Sequence, residues 1–391
     1  MGQLQPYTTF LATAVVAWLA AQALVARAGA FGLVDHPHVE RKFHARPTPT
    51  VGGLAVAAGV VVAWLLAPSS APPPGALVSF ALILALGLAD DRLDLNWAFR
   101  FGGQAVALLP MMLLDGTVIH SLGHLLGSQE LLLGPLALPV TLFMGLGAIN
   151  ALNMIDGADG LAGSLGLTAL LVIAAVAGVT GQPQLAQQLL VCAAGLAGFL
   201  VLNVRTPWQP KARAFLGNAG SELLGLVLAW AVIRLTQAPE GTIPPILAPF
   251  LIGPALLDCM AVMLRRMAAG GSPFKADAQH FHHLLQRAGV SVTGVMVAAV
   301  LGALAFAGAA LLAWRLGVAE TVLAGALLTT LAVYATWQAR LSAASAVPAT
   351  QEAENAAPRR RPAVRPGART TVALSAARSH VDRSERLQSV E

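Results

Sequence analysis

The chain has 391 residues, of which 56% are hydrophobic and only 11% are Asp, Glu, Lys or Arg. Soluble domains average about 25% charged residues, and a mean hydropathy of +0.69 over this length exceeds what one globular interior buries. A soluble enzyme, a disordered protein and a secreted disulfide scaffold are excluded, and the expected fold class is an all-α polytopic membrane protein.

A bilayer crossing takes about 20 mostly apolar residues. Eleven spans are predicted, at roughly 8–29, 51–67, 76–90, 98–115, 131–150, 161–180, 185–204, 215–235, 244–264, 292–314 and 320–338. The segment PSSAPPPG at 68–75 separates the second span from the third. Lys and Arg fall in alternate loops. Arg41, Lys42 and Arg46 follow the first span, and Arg92 and Arg100 lie around the third–fourth loop. Arg205, Lys211 and Arg213 precede the eighth, and Arg265, Arg266, Lys275 and Arg287 precede the tenth. The intervening loops 68–75, 181–184 and 236–243 hold one Glu and no base. The positive-inside bias then puts the basic loops and the C-terminus in the cytoplasm and the N-terminus outside. Arg27, the first base, closes the first apolar run, so that run does not have the pattern of a cleavable signal peptide. Residues 339–391 change composition, with Arg359, Arg360 and Arg361 consecutive, and read as a disordered basic tail. Cys192 and Cys259 both lie in apolar runs and read as small buried hydrophobes.

The polar residues gather at the cytoplasmic ends of the spans, where acids are functional candidates. Asp90, Asp91 and Asp94 end the third span. Adjacent carboxylates repel unless a cation or proton separates them, and Mg²⁺ characteristically bridges one or two carboxylates to substrate phosphates. The run Asn150, Asn153, Asp156, Asp159 steps by three residues, so a helix would set the four roughly along one face, with Gly157 and Gly160 loosening the backbone. In FLGNAGS (215–221), Ser221 or Asn218 is a candidate N-cap, and a Gly-rich helix start is also a potential anion site. His280, His282 and His283, close to Arg265, Arg266 and Lys275, suit phosphate oxygens better than zinc, since no cysteine is near. Acids for a metal and bases for phosphates on one membrane face suggest phosphoryl transfer between a soluble and a lipid-borne reactant.

Five stretches resemble the bacterial polyprenyl-phosphate N-acetylhexosamine-1-phosphate transferases, in the family's order. They are VDHPHVERKFHARPTPTVGG (34–53), LGLADDRLDL (86–95), NALNMIDGADGLAG (150–163), FLGNAGS (215–221) and LLDCMAVMLRRMAAGGSPFKADAQHFHHLLQRAG (256–289). The resemblance implies eleven transmembrane helices in residues 1–338 and an active site on the cytoplasmic face of the bacterial inner membrane. It implies transfer of a sugar 1-phosphate, with N-acetylglucosamine as the expected sugar, from a UDP-sugar to undecaprenyl phosphate, releasing UMP. Mg²⁺, with Mn²⁺ as the alternative, is the implied cofactor. Asp90, Asp91, Asp156 and Asp159 fall at the implied catalytic centre, with Asp90 the candidate base. Asp90, Asp91, Asn153 and Asn218 fall at implied metal positions. Lys42, His44, Asn150, Arg265, Arg266, His280, His282 and His283 fall in implied substrate-binding segments. Membrane lipid is an expected partner, nucleic acid is not, and a homodimer is left open. One position departs from the family, whose motif FMGDxGS has an Asp where this chain has Asn218. An amide oxygen still ligates Mg²⁺ but brings no charge. Nor can it act as a covalent nucleophile, which favours direct attack by the lipid phosphate. The alternatives are the same reaction with another UDP-N-acetylhexosamine and a catalytically impaired lipid-binding homologue.

Overall fold

Apolar runs this long fold as helices because a helix satisfies every backbone N–H and C=O within its own segment, which a bilayer interior demands. The computed structural model describes residues 5–35, 47–238, 243–272 and 279–344. Lys42, His44, Lys275 and the tail from residue 345 lie outside the described residues. The helices are α1 (Gln5–Phe31), α2 (Gly52–Leu66), α3 (Pro74–Leu93), α4 (Trp97–Leu113), α5 (Ala137–Ile155), α6 (Leu161–Val179) and α7 (Pro183–Asn203). They continue as α8 (Gly217–Thr236), α9 (Ala248–Ile252), α10 (Pro254–Ala268), α11 (Phe281–Arg287), α12 (Val292–Arg315) and α13 (Glu320–Ala344).

Each predicted span contains a helix, the fifth shifted along the chain to Ala137–Ile155, and among the described residues seven helices are long and apolar enough to cross a membrane. The helices α2 and α4 fall short of that set with 15 and 17 residues, and α3 ends in Asp-Asp-Arg-Leu. The predicted ninth span is not one rod. It breaks at Gly253, and the two pieces meet at 90°. The last helix also runs past its predicted end, to Ala344.

The centre of the bundle is α8, whose apolar window is 89% buried against 22% for α1 and α12 and 17% for α13. Trp230 of α8 is sealed inside, with Phe80 of α3 edge-on at 5.8 Å. Large apolar side chains on the outside, among them Leu65, Phe143, Val179 and Leu328, face away from that core and suit a lipid surround. The contact between α3 and α8 is close because Gly87 has no side chain: a Cβ there would collide with the backbone of Ala219. One turn beyond Gly87, this brings the Asp91 carboxylate over the start of α8.

Two short strands, β1 (Val34–Asp35) and β2 (Thr48–Pro49), pair antiparallel. The chain then runs beside the residues that lead into α8. Phe215 N donates to Pro49 O at 2.7 Å, and Gly52 N donates to Phe215 O at 3.1 Å. The VDHPHVERKFHARPTPTVGG and FLGNAGS stretches, far apart in sequence, are therefore stitched together at one end of the bundle.

Candidate active site

Four helix ends meet around one guanidinium. Arg100, in the first turn of α4, places Nη1 3.2 Å from Asp90 Oδ2 of α3 and Nε 3.6 Å from Glu222 Oε1 of α8. Its Nη2 donates to Asn153 Oδ1 of α5 at 3.0 Å. Both carboxylates are almost fully buried, with side chains 2% and 0% exposed, while Arg100 is 25% exposed. The network continues inward: Gln104 Nε2 donates to Glu222 Oε1 at 2.9 Å, and Asn150 Nδ2 donates to Gln104 Oε1 at 2.8 Å. It continues outward from Asn153 Nδ2, which donates to Asn218 Oδ1 at 2.8 Å and to Ser221 Oγ at 3.1 Å. Asp90, Asn150, Asn153 and Asn218 thus belong to one cluster, held by side-chain hydrogen bonds and by the ion pairs of Arg100 with Asp90 and Glu222.

The start of α8 corrects the expected cap. Asn218 and Ser221 lie inside the helix, and no side chain of its own segment caps it. The cap comes from α3: Asn218 N and Ala219 N donate to the two oxygens of Asp91, at 2.8 and 3.1 Å. The helix start foreseen as an anion site is therefore filled by the protein's own carboxylate, which the helix dipole favours. Replacing Asp91 by alanine is expected to lower stability by about 1–2 kcal/mol, the cost of losing an N-cap. Thermal denaturation in detergent measures this, and an unchanged melting temperature would contradict the capping role.

The expected single face for Asn150, Asn153, Asp156 and Asp159 is also corrected. The helix α5 stops at Ile155, so only the two asparagines ride on it. Asp156 occupies the C-cap position, and Asp159 turns toward the segment between α7 and α8. There Asp159 Oδ2 accepts from Arg205 Nε at 2.6 Å and from Ala212 N at 3.1 Å. Asp156 accepts no hydrogen bond from any described residue. Burial, then the nearby charges of Asp91 and Asp159, push its carboxyl up to about 7.

The histidine segment abuts this loop. A Cβ on Gly157 would run into His282 Nε2, so the glycine beside Asp156 is what admits the ring. His282 is 0% exposed, and both of its ring nitrogens lack a hydrogen-bond partner. Burial and its neighbours His283 and His280 push it down to about 2. It is therefore a neutral ring at physiological pH, and it offers hydrogen bonds rather than charge. His282 lies 4.1 Å from the His283 ring and stacks on His280 at 5.9 Å. His280 Nδ1 lies 2.6 Å from Asp258 Oδ2 of α10. Arg266 is 9% exposed, and Arg265 Nη1 lies 3.4 Å from Gln338 Oε1 of α13.

The implied metal can be tested against these donors. Among the described residues no three His, Cys, Asp or Glu side chains form a ready-made metal set. Of the four implied ligands, Asp90 and Asn153 are engaged by Arg100, and Asp91 by backbone N–H groups. Asp156 is left without a donor, and it feels the like charges of Asp91 and Asp159. An open carboxylate with further side-chain oxygens close by fits Mg²⁺, which completes its octahedron with water and substrate phosphates.

Three participants were not singled out from the sequence. Arg100 served only as a topology marker, and Glu222 and Asp258 were given no role. A signal existed for each: all three are charges inside otherwise apolar spans, and such charges are expensive unless they have partners.

Residues 74–236 match glycosyl transferase family 4. The chain is 35% identical over 273 residues to the undecaprenyl-phosphate alpha-N-acetylglucosaminyl 1-phosphate transferase of Yersinia pestis, covering 70% of this chain and 74% of that protein. It is 34% identical over 300 residues to the protein of that name from Salmonella typhi, covering 76% and 80%. For that of Escherichia coli strain K12 the values are 34% over 283 residues, 72% and 77%. With such identity sustained over most of both chains, this protein belongs to glycosyl transferase family 4, among the polyprenyl-phosphate N-acetylhexosamine-1-phosphate transferases.

Proposed function

We propose that the chain transfers N-acetylglucosamine 1-phosphate from UDP-N-acetylglucosamine to undecaprenyl phosphate, releasing UMP and starting a lipid-linked cell-surface glycan. The observation that carries this reading is the union, at one end of the bundle, of an acid cluster with a histidine and arginine segment. The printed names of the relatives support the acceptor and the sugar. The basic loops support placing this end at the cytoplasmic face of the inner membrane, with eleven crossings, the N-terminus outside and the C-terminus inside.

In this mechanism an oxygen of the lipid phosphate attacks the β-phosphorus of the sugar nucleotide in line. The bond to the bridging oxygen breaks and UMP leaves with that oxygen. Phosphoryl transfer asks mainly for positioning and charge stabilisation. Mg²⁺ would be held by Asp156, with Asp91 and Asn218 beside it, and supplies neutralisation of the pyrophosphate charge. Arg100 keeps Asp90 and Asn153 fixed around the reacting end. His280 and His283 supply hydrogen bonds to the nucleotide with His282 packed behind them, His280 accepting from a hydroxyl through Nε2, and Arg265 and Arg266 add positive charge. Asp159, tied to Arg205, holds the 156–160 loop in place.

The decisive assay is UMP release by the purified chain given undecaprenyl phosphate and a panel of UDP-sugars. UMP with UDP-N-acetylglucosamine is expected, and no UMP with any donor from folded protein would overturn the reading. In the same assay, near-wild-type turnover by Asp90→Asn would remove Asp90 from the role of base.

The raised Asp156 carboxyl gives a pH signature. Unfolded, it ionises near the ordinary 3.8, and folded only near 7. The folded state thus binds the extra proton between those values, and stability falls as pH rises through that window. The melting temperature without divalent cation is expected to drop between about pH 5 and about pH 7.5, and to level off above. Asp156→Asn flattens that slope, and Mg²⁺ raises the melting temperature most at the higher pH. An undiminished slope in Asp156→Asn would assign it to another group.

A further inference from the structure

Asp258 is 1% exposed in the interior of α10, yet it is fully engaged. Its Oδ2 meets His280 Nδ1 at 2.6 Å. Its Oδ1 accepts from Phe281 N at 3.0 Å, from Tyr334 Oη at 2.8 Å and from Gln338 Nε2 at 2.9 Å. Four donors from α13 and the start of α11 thus converge on one carboxylate, which offsets the cost of burying it. A clamp between helices needs no imidazole among those donors. Here one oxygen is given to a histidine ring, and that ring stacks at 15° on His282, whose edge lies against Gly157 beside Asp156.

The consequence is chemical. A carboxylate only accepts hydrogen bonds, so Nδ1 of His280 carries the proton and Nε2 is the nitrogen left for anything outside the protein. No described residue partners Nε2. We infer that Asp258 is a positioning residue of the site: it fixes the ring and tautomer of His280 so that the Nε2 lone pair accepts from a hydroxyl group of the nucleotide. The inference rests on the function proposed above for the identity of that ligand, but not for the tautomer. Asp258 faces Tyr334 of α13 and His280, the partner that its Oδ2 meets at Nδ1.

The test uses the full chain in detergent. Asp258→Asn keeps the shape and an acceptor oxygen, but its amide can donate to Nδ1 and turn the ring to the Nε2–H tautomer, the fault such a change produces in catalytic triads. Nitrogen-15 spectra of histidine-labelled protein should report Nδ1–H for His280 in the wild type and a changed tautomer in Asp258→Asn. UDP affinity should fall about 10- to 100-fold, by analogy with losing the partner that orients a metal-binding histidine. Two variants of the ring separate orientation from clamping. The glutamine amide reaches the Nε2 position and that of asparagine only the Nδ1 position, so His280→Gln should bind UDP better than His280→Asn. Adding Asp258→Asn to His280→Gln should then cost little more. Equal binding by the two ring variants, or an undiminished Asp258→Asn effect in His280→Gln, would reduce Asp258 to a clamp and overturn the inference. Wild-type protein that shows the Nδ1–H tautomer but neither binds UDP nor releases UMP would instead overturn the proposed function.

Discussion

Arg100→Met is expected to destabilise the protein by about 3–5 kcal/mol and to abolish transfer. Three helices present oxygens to this one guanidinium: Asp90 Oδ2 at 3.2 Å, Glu222 Oε1 at 3.6 Å and Asn153 Oδ1 at 3.0 Å. Methionine matches much of the apolar stem and none of the charge, so packing is largely kept while two buried carboxylates lose their counter-ion. Breaking a buried pair from one side costs far more than the pair contributes net, because the remaining charge is stranded. Lysine restores the charge at one point but cannot reach three oxygens at once, so Arg100→Lys should recover part of the stability and little of the activity. Denaturation in detergent with UMP release measured in parallel checks both. A melting temperature for Arg100→Met within a degree or so of wild type would mean that Asp90 and Glu222 are not charged against Arg100. The companion variant Glu222→Gln removes one of the two acids and should soften the loss in the Arg100→Met background, since neighbouring charges couple.

The helical segments were legible because their signal is local. Runs without charge, bounded by Pro, Gly or acid-base clusters, set each helix whichever neighbour it packs on. The gathering of acids at one end was legible for a similar reason: alternation of basic loops orients every span, so residues at corresponding ends must share a face. What the sequence concealed was the choice of partner. Asp91 and Asp90 are adjacent and read as a pair, yet one caps α8 through two N–H groups and the other faces Arg100. That division depends on the approach of α3 to α8 over Gly87, which no periodicity records. The stop of α5 at Ile155 was hidden likewise, because a three-residue step of Asn and Asp looks helical until the Gly157 backbone turns to admit His282. The break at Gly253 leaves no gap in hydropathy, so an unbroken ninth span was the natural expectation. The charges inside spans, Arg100, Glu222 and Asp258, carried the information about the interior of the site.

Asn218→Asp is the second variant with a large expected effect, and its sign depends on divalent cation. The Asn218 oxygen accepts from Asn153 Nδ2 at 2.8 Å, a bond that a carboxylate takes over without rearrangement. The added charge, however, joins a cluster in which Asp90 and Glu222 already share one arginine and Asp91 and Asp156 lie close. Without cation the variant should therefore be less stable than wild type, by about 1–3 kcal/mol for a partly buried charge lacking a full partner. With Mg²⁺ the balance reverses, since a charged oxygen ligand replaces a neutral one. The gain in melting temperature on adding Mg²⁺ should be larger than in wild type, as linkage requires of a tighter site. Mn²⁺ binding followed by electron paramagnetic resonance should tighten about tenfold, equivalent to roughly 1.4 kcal/mol, and UMP release should need correspondingly less Mg²⁺. If neither the Mn²⁺ affinity nor the Mg²⁺-dependent stabilisation changes, Asn218 does not face the cation. The missing charge of its motif would then bear on helix packing alone. If both rise while turnover does not fall, the chain works with an amide where its relatives' motif has an acid, and its looser hold on the metal is a property of this one position.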